Sequence, residues 1–469
     1  MSPTSTDGGR LQDVRRFRRT LTILVTSLLV LCGTFFTLDW FQGPRLSDAQ
    51  VDTAAVAALP GQQLRLFANE PLADIRADQV TVAPEVPFDV STSGAVIAIR
   101  FTTRLDYSTE YRVTIAEAAG TQHTATSTLE HRFTTAAASV YYLDRADPAV
   151  GGKDTILRTG IGFGPGAVEK KVVYSADRIQ DFAVVGRALV VVTMAADRTG
   201  PVTLVSLDNG ATEQLRLPPA VQVQRLRASP ATGFVGFILT GQDGDPNNAL
   251  MLVDLGGTHE VTPVAALDGS DLGVLDWMFL PGTSQFIAQT FDQTVLLFDA
   301  AAPGVPTPIG TWTELDDVSP DGSALLVKDA FGSIVVSLAD GTETRITPSP
   351  VDGEIPYSST PALLPDGHTR VQSVVFLSAD LTSSRSFLVV DDGTTGRIVY
   401  TPPDAGAIDS FTVSPNGQYA AVAVDPDAGA SASDAYYPFA KPTNIMTIVV
   451  DLATGEQVRS YDGFDTSWP

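Results

Sequence analysis

The chain of 469 residues predicts an all-β architecture behind one N-terminal transmembrane helix. Three observations carry that prediction. A single uncharged apolar run stands near the N-terminus. Short segments alternating polar and apolar residues fill roughly the next hundred positions, broken by Gly and Pro. Behind them, a strand-and-turn unit recurs about every forty to fifty residues to the end of the chain.

Composition sets the limits. A hydrophobic share of 44% with 18% charged residues excludes wholesale disorder. One cysteine leaves no material for a disulfide scaffold, a cysteine-based zinc site or an iron–sulfur cluster. Four histidines, His123, His131, His259 and His368, are too scattered for a histidine metal centre. The formal charge of −24 argues against nucleic acid as a partner, since binding it needs a basic surface to displace counterions.

The membrane helix is predicted over residues 20–38. At 1.5 Å rise per residue this run spans about 28 Å, close to the roughly 30 Å hydrocarbon core of a bilayer. Arg10, Arg15, Arg16, Arg18 and Arg19 precede it, and Trp40 and Phe41 follow it. The positive-inside rule then makes residues 1–19 a basic cytoplasmic tail and puts everything beyond Trp40 outside. A cleaved signal peptide would need a small-x-small site soon after the run, and the nearest, Ala55-Val56-Ala57, is far downstream. A lipoprotein reading would use Cys32, but Leu31 stands where a small residue belongs.

Residues 42–138 are predicted as a β-sandwich. Gln63-Leu64-Arg65-Leu66-Phe67, Gln79-Val80-Thr81-Val82, Ala95-Val96-Ile97-Ala98-Ile99-Arg100-Phe101 and Tyr111-Arg112-Val113-Thr114-Ile115 alternate with period two. About seven such strands in about ninety-five residues is the pattern of an immunoglobulin-like sandwich without a disulfide. Leu105 to Tyr111 reads as a corner at which the Tyr111 hydroxyl bonds back across the turn. His131-Arg132-Phe133-Thr134-Thr135 resembles the closing strand of bacterial Ig-like domains of the S-layer-associated, SbsA type. That resemblance covers this domain alone and implies a spacer or adhesion module. His123 and His131 are then surface strand residues, not ligands.

Residues 139–469 are predicted as a β-propeller. One half of the repeat is a strand entering a Pro/Gly turn: Phe279-Leu280-Pro281-Gly282, Val318-Ser319-Pro320-Asp321-Gly322, Leu364-Pro365-Asp366-Gly367 and Val413-Ser414-Pro415-Asn416-Gly417. The other half is a β-branched strand ending at an acid: Asp208, Asp254, Asp299, Asp340, Asp391 and Asp451, spaced 46, 45, 41, 51 and 60 apart. That period, all strand and turn, is a four-stranded propeller blade. Six blades are explicit, and Ile156 to Ile161 supplies a seventh at the same spacing. The long last interval holds an insertion from Asp425 to Lys441. The Ser-Pro-Asp-Gly turns resemble TolB-like propellers of bacterial envelopes, of the PD40 and WD40-like type, although WD40 signature dipeptides are absent.

The C-terminal Gly463-Phe464-Asp465-Thr466-Ser467-Trp468-Pro469 reads as an inner strand, and Ser139 to Asp144 as a second strand without an inner neighbour. The tail is therefore expected to complete the first blade, which removes two unpaired edges.

Catalytic signatures are missing from the sequence: there is no G-x-S-x-G elbow for a serine nucleophile and no sialidase-type Asp box. Asp243-Gly244-Asp245-Pro246-Asn247-Asn248 opens like a calcium loop but lacks a terminal Glu, so it reads as a hairpin tip. No cofactor is expected, calcium being the one left open. Asp181, Asp276, Asp316 and Asp409 fall near the starts of four inner strands and would converge at one mouth of the central channel if their registers agree. Like charges there would favour a cation or a basic group. Tyr436, Tyr437 and Phe439 form an aromatic cluster in the insertion, either a contact surface or a loop packed over its own blade.

The sequence thus points to a membrane-anchored extracellular protein of the bacterial envelope, its propeller binding an envelope protein or polymer. The alternative is an extracellular propeller enzyme, lactonase-like or glycan-cleaving, with a carboxylate- or calcium-centred channel.

Overall fold

The computed structural model describes residues 17–30, 43–121, 125–162, 169–302, 304–378, 380, 382–436 and 440–469. The chain divides into two compact units, Met1–Leu105 with Thr109–Thr135, and Asp106–Ser108 with Ala136–Pro469.

In the first unit, residues 17–30 are helical and exposed on every side. Phe17, Leu21, Ile23, Leu24, Val25, Leu28, Leu29 and Val30 have no apolar cover. Residues 31–38 of the expected span, with Trp40 and Phe41, lie outside the described residues, as does His123. Among the described residues no helix is long and apolar enough to cross a membrane.

Seven strands follow: β1 (Leu46–Gln50), β2 (Gln63–Ala68), β3 (Val80–Ala83), β4 (Phe88–Ser93), β5 (Val96–Phe101), β6 (Glu110–Ala119) and β7 (Thr126–Thr134). They form two antiparallel sheets, ordered β1-β2-β5-β4 and β3-β6-β7. Period-two alternation sends one face of each strand inward. Leu64 and Leu66 of β2, Ile97, Ile99 and Phe101 of β5, Val80 and Val82 of β3, and Tyr111, Val113 and Ile115 of β6 meet in one core. Each such side chain contributes about 1.5–3 kcal/mol when fully buried. Tyr111 is buried and stacks on Phe133 with ring centroids 5.8 Å apart.

The second unit is a seven-bladed β-propeller. Seven antiparallel sheets follow one another in chain order, six of four strands and one with a split inner strand. The inner strands are Phe464–Ser467 in blade 1, Ile179–Val185, Val221–Ser229, Val274–Phe279 and Glu314–Val318 in blades 2 to 5, Tyr357–Ser358 with Ala362–Leu363 in blade 6, and Ala407–Val413 in blade 7. Inner strands of blades 2, 3, 4 and 5 touch in succession, and the second strand of blade 7 touches the inner strand of blade 1. The last of these contacts joins the final blade to the first.

The repeat markers have a physical cause. At the turn after an inner strand, Gly282, Gly322, Gly367 and Gly417 all take φ of 74° to 77°, a left-handed conformation that glycine adopts without a Cβ clash. Ser319 Oγ donates to Asp321 at 2.6 Å and accepts from Ala324 N at 2.9 Å, so the turn satisfies itself. At the end of the third strand, Asp254, Asp299, Asp391 and Asp451 each accept a backbone N–H two residues on, at 2.8 to 3.0 Å. Short carboxylate side chains favour this turn, which is why an acid recurs there.

The C-terminal strand pairs with Ser139–Asp144 as the sequence predicts, Phe464 opposite Leu143 and Ser467 opposite Tyr141. Phe464 is buried with Leu143, Ile156 and Ile445. Gly463 enters at φ 118°, and a Cβ there would stand 2.5 Å from the Leu143 carbonyl oxygen. Only glycine fits that approach.

Candidate functional site

The site is built by a defect that the inner strands share. Near their starts the register slips by one residue, between Ile179 and Asp181, Val274 and Asp276, Leu315 and Asp317, and Ile408 and Ser410. A β-bulge leaves one residue unpaired and re-aims its neighbour. Asp181, Asp276 and Asp317 occupy the position after the bulge, and each accepts the next residue's backbone N–H at 2.8 Å. Asp316 and Asp409 are the bulged residues themselves.

The four carboxylates proposed from sequence therefore do not form one ring of like charge. Asp181 lines a mouth cavity of about 290 Å³ with Arg145, Arg225, Arg227, Lys441 and Asp465. Asp276 stands behind it, 3.3 Å from Arg227 and 3.6 Å from Arg225. Asp409 is held by Lys441 at 2.6 Å. Asp316 pairs with Lys328 at 3.1 Å, beside Glu314. Three of the four are thus neutralised by cations of the chain, and the mouth carries mixed charge. Among the described residues no group of three or more His, Cys, Asp or Glu side chains is placed to hold a metal ion.

Two acids were missed. Asp465, on the closing strand, lines the cavity, and Asp317 sits one position beyond Asp316. The Asp316-Asp317 pair was the available signal, and the bulge decides which member takes the register position of Asp181 and Asp276. Burial and the nearby Asp465 charge push the Asp181 carboxyl up to about 7, against Arg227 and the N–H groups of Phe182 and Leu226. Burial also raises Asp465, opposed by Lys441 and Arg145, and raises Asp317. Asp181 is half-buried and Asp465 exposed, and both open onto the cavity.

Arg145 ties the mouth together. Its guanidinium donates to Asp434 at 2.7 Å and to the carbonyls of Ile179 and Gln180 at 3.1 and 2.9 Å. It lies 3.8 Å from the Tyr436 ring centroid and 4.9 Å from that of Phe464. Both charges of the Arg145–Asp434 pair are buried. Tyr436 is no surface contact: it is 6% exposed, its hydroxyl donates to Asp154, and Arg178 covers it at 4.4 Å. The insertion packs over blade 1. Tyr437 and Phe439 lie outside the described residues. In the loop at 243–248, Asp243 caps Asp245 N at 3.2 Å, as a hairpin tip does.

A larger cavity lies elsewhere, between blades 3 and 4, with about 720 Å³ over Phe234, Leu252, Val264, Phe286 and Phe298.

No protein-family model matches the chain, and no curated protein matches it. Solved structures resemble it weakly. A putative TolB from Agrobacterium tumefaciens is 13% identical, with 70% of this chain and 91% of that one covered at a TM-score of 0.34. The Swd1 propeller domain of Myceliophteria thermophila is 13% identical, covering 61% and 87% at 0.37. An oligogalacturonate lyase from Vibrio parahaemolyticus is 11% identical, covering 61% and 87% at 0.44. The propeller assignment rests on the sheet order above and not on these likenesses.

Proposed function

We propose that the chain is a membrane-tethered extracytoplasmic binding protein whose propeller mouth takes a polar, hydrogen-bonding ligand of the envelope. The mouth itself carries this reading. Four cations and two carboxylates line one cavity, and Arg145, Arg227 and Lys441 are each held by a further acid, Asp434, Asp276 and Asp409. Side chains locked by supporting partners bind without first having to be ordered.

The tether is supported by the exposed apolar helix at residues 17–30 and the uncharged run through residue 38. The strand orders β1-β2-β5-β4 and β3-β6-β7 match the ABED and CFG sheets of an immunoglobulin-like sandwich, which supports a spacer between anchor and propeller in chain order. Protease added to cells stripped of their wall should digest the chain beyond Trp40, and the protein should stay with membranes in high salt. A soluble chain, or one beginning near Ala58, contradicts the tether.

One observation favours an enzyme acting at the same mouth. A carboxyl near pKa 7 is half protonated at neutral pH and suited to general acid–base work. Turnover of a lactone or glycan, lost in Asp181→Asn, would decide for that reading. Binding without turnover decides for the first.

A further inference from the structure

We propose that the groove between blades 3 and 4 binds an extended segment of a partner protein, in which apolar side chains are flanked by lysine or arginine. The groove exists because the outer strand of blade 3 is only Thr262–Pro263. Proline has no N–H to extend the ladder, so the strand stops at once. The outer strand of blade 4, by contrast, runs Thr307–Thr311. Blade 3 therefore leaves part of the adjacent apolar layer uncovered.

The floor is formed by Phe234, Leu252 and Val264 from blade 3 and by Phe286 and Phe298 from blade 4. Phe286 and Phe298 are buried and stack at 5.0 Å with planes 5° apart, a rigid support for the half-buried Phe234 and Leu252 that an incoming side chain would meet. The rim is acidic. Asp254, Glu260 and Asp299 all line the cavity. Asp254 caps Gly256 N at 2.8 Å, and Asp299 accepts from Ser284 Oγ at 2.7 Å and Ala301 N at 2.9 Å. The Ser284 bond and the Ala301 N–H hold the Asp299 carboxyl below its usual range, so it stays charged. Among the described residues no lysine, arginine or histidine forms an ion pair with any of the three.

Apolar floor and unneutralised acidic rim together select the occupant. An anionic lipid surface or an acidic peptide would meet repulsion at the rim. A second copy of this chain, at a net charge of −24, would bring further carboxylates. A basic, apolar segment satisfies both features, since rim charge steers and selects while apolar burial supplies affinity. The groove sits where third strands end, whereas the mouth sits where inner strands begin. In an antiparallel blade these are opposite rims, so this site does not depend on the mouth.

The test titrates the full-length protein with a fluorescein-labelled hexapeptide whose two central apolar residues, leucine and phenylalanine, are flanked by lysines. The control replaces the lysines by glutamates. The basic peptide should bind about tenfold or more tightly than the acidic one, and the advantage should fall in high salt. Glu260→Lys should reduce that preference, and Ala301→Trp, which fills the groove from an exposed position, should block binding while the protein melts as before. Asp181→Asn at the mouth should leave the peptide bound. Equal affinity for the two peptides, no binding of either, or binding unaffected by Ala301→Trp overturns the proposal.

Discussion

Blade 1 and blade 3 solve the same problem with opposite outcomes. Blade 1 is assembled from both ends of the propeller, with its inner strand, Phe464–Ser467, contributed by residues more than three hundred positions from its second strand. Such a junction has the highest loop-closure cost in the ring, and it is secured twice. The strand pairs, and the blade 7 insertion then lays Asp434 and Tyr436 over Arg145 and Asp154. Blade 3 is continuous in sequence, needs no clasp, and ends in a two-residue outer strand that leaves Phe234 and Leu252 only half-buried. Contacts accumulate where the chain must close and thin out where it can spare surface.

The largest expected effect breaks the closure. Deleting residues 464–469 removes a buried phenylalanine and exposes a strand edge, and should cost about 4–5 kcal/mol and bind a hydrophobic dye. Unchanged thermal melting would show that blade 1 closes some other way. Next comes the clasp. Arg145→Ala leaves the Asp434 carboxylate buried without its cation, and should cost about 3–5 kcal/mol in denaturant melts. Tyr436→Phe removes one hydrogen bond to a carboxylate and should cost about 1–3 kcal/mol. The cycle pairing it with Arg145→Ala should be non-additive, because both side chains share one cluster.

The mouth adds a pH effect. Asp181 titrates near 7 when folded and near 3.8 when unfolded, so between those values the folded state holds the extra proton. Stability should therefore fall as pH rises from about 4 to about 7 and flatten above. Asp181→Asn should reduce that slope, leaving the part that Asp465 and Asp317 contribute. The same slope in Asp181→Asn as in the wild type would mean that Asp181 stays charged throughout. The smallest effect lies at blade 3. Ala301→Trp, on an exposed turn, should change stability by no more than about 0.5 kcal/mol.

What was legible in the sequence follows the same division. The blade spacing was readable because Asp254, Asp299 and Asp451 cap their own turns, a local interaction that leaves a local mark. Closure was readable because Phe464 and Gly463 stand in a strand pattern with no partner nearby. The mouth was only half readable. Asp181 and Asp276 fall in register, but the bulge puts Asp317, not Asp316, in the matching place, and no sequence rule locates a bulge to one residue. The pairing of Arg145 with Asp434 was invisible, since 289 positions separate them. Tyr436 could be read as a contact residue or as packed on its own blade, because its buried partner Asp154 lies 282 positions away in blade 1.

Amide hydrogen exchange on the intact protein tests the closure most directly. If the C-terminal strand seals blade 1, amides of Ser139–Asp144 should be protected as strongly as those of Phe234–Gly241, the second strand of blade 3. Exchange of Ser139–Asp144 at the rate of an open edge, with Phe234–Gly241 still protected, would contradict it.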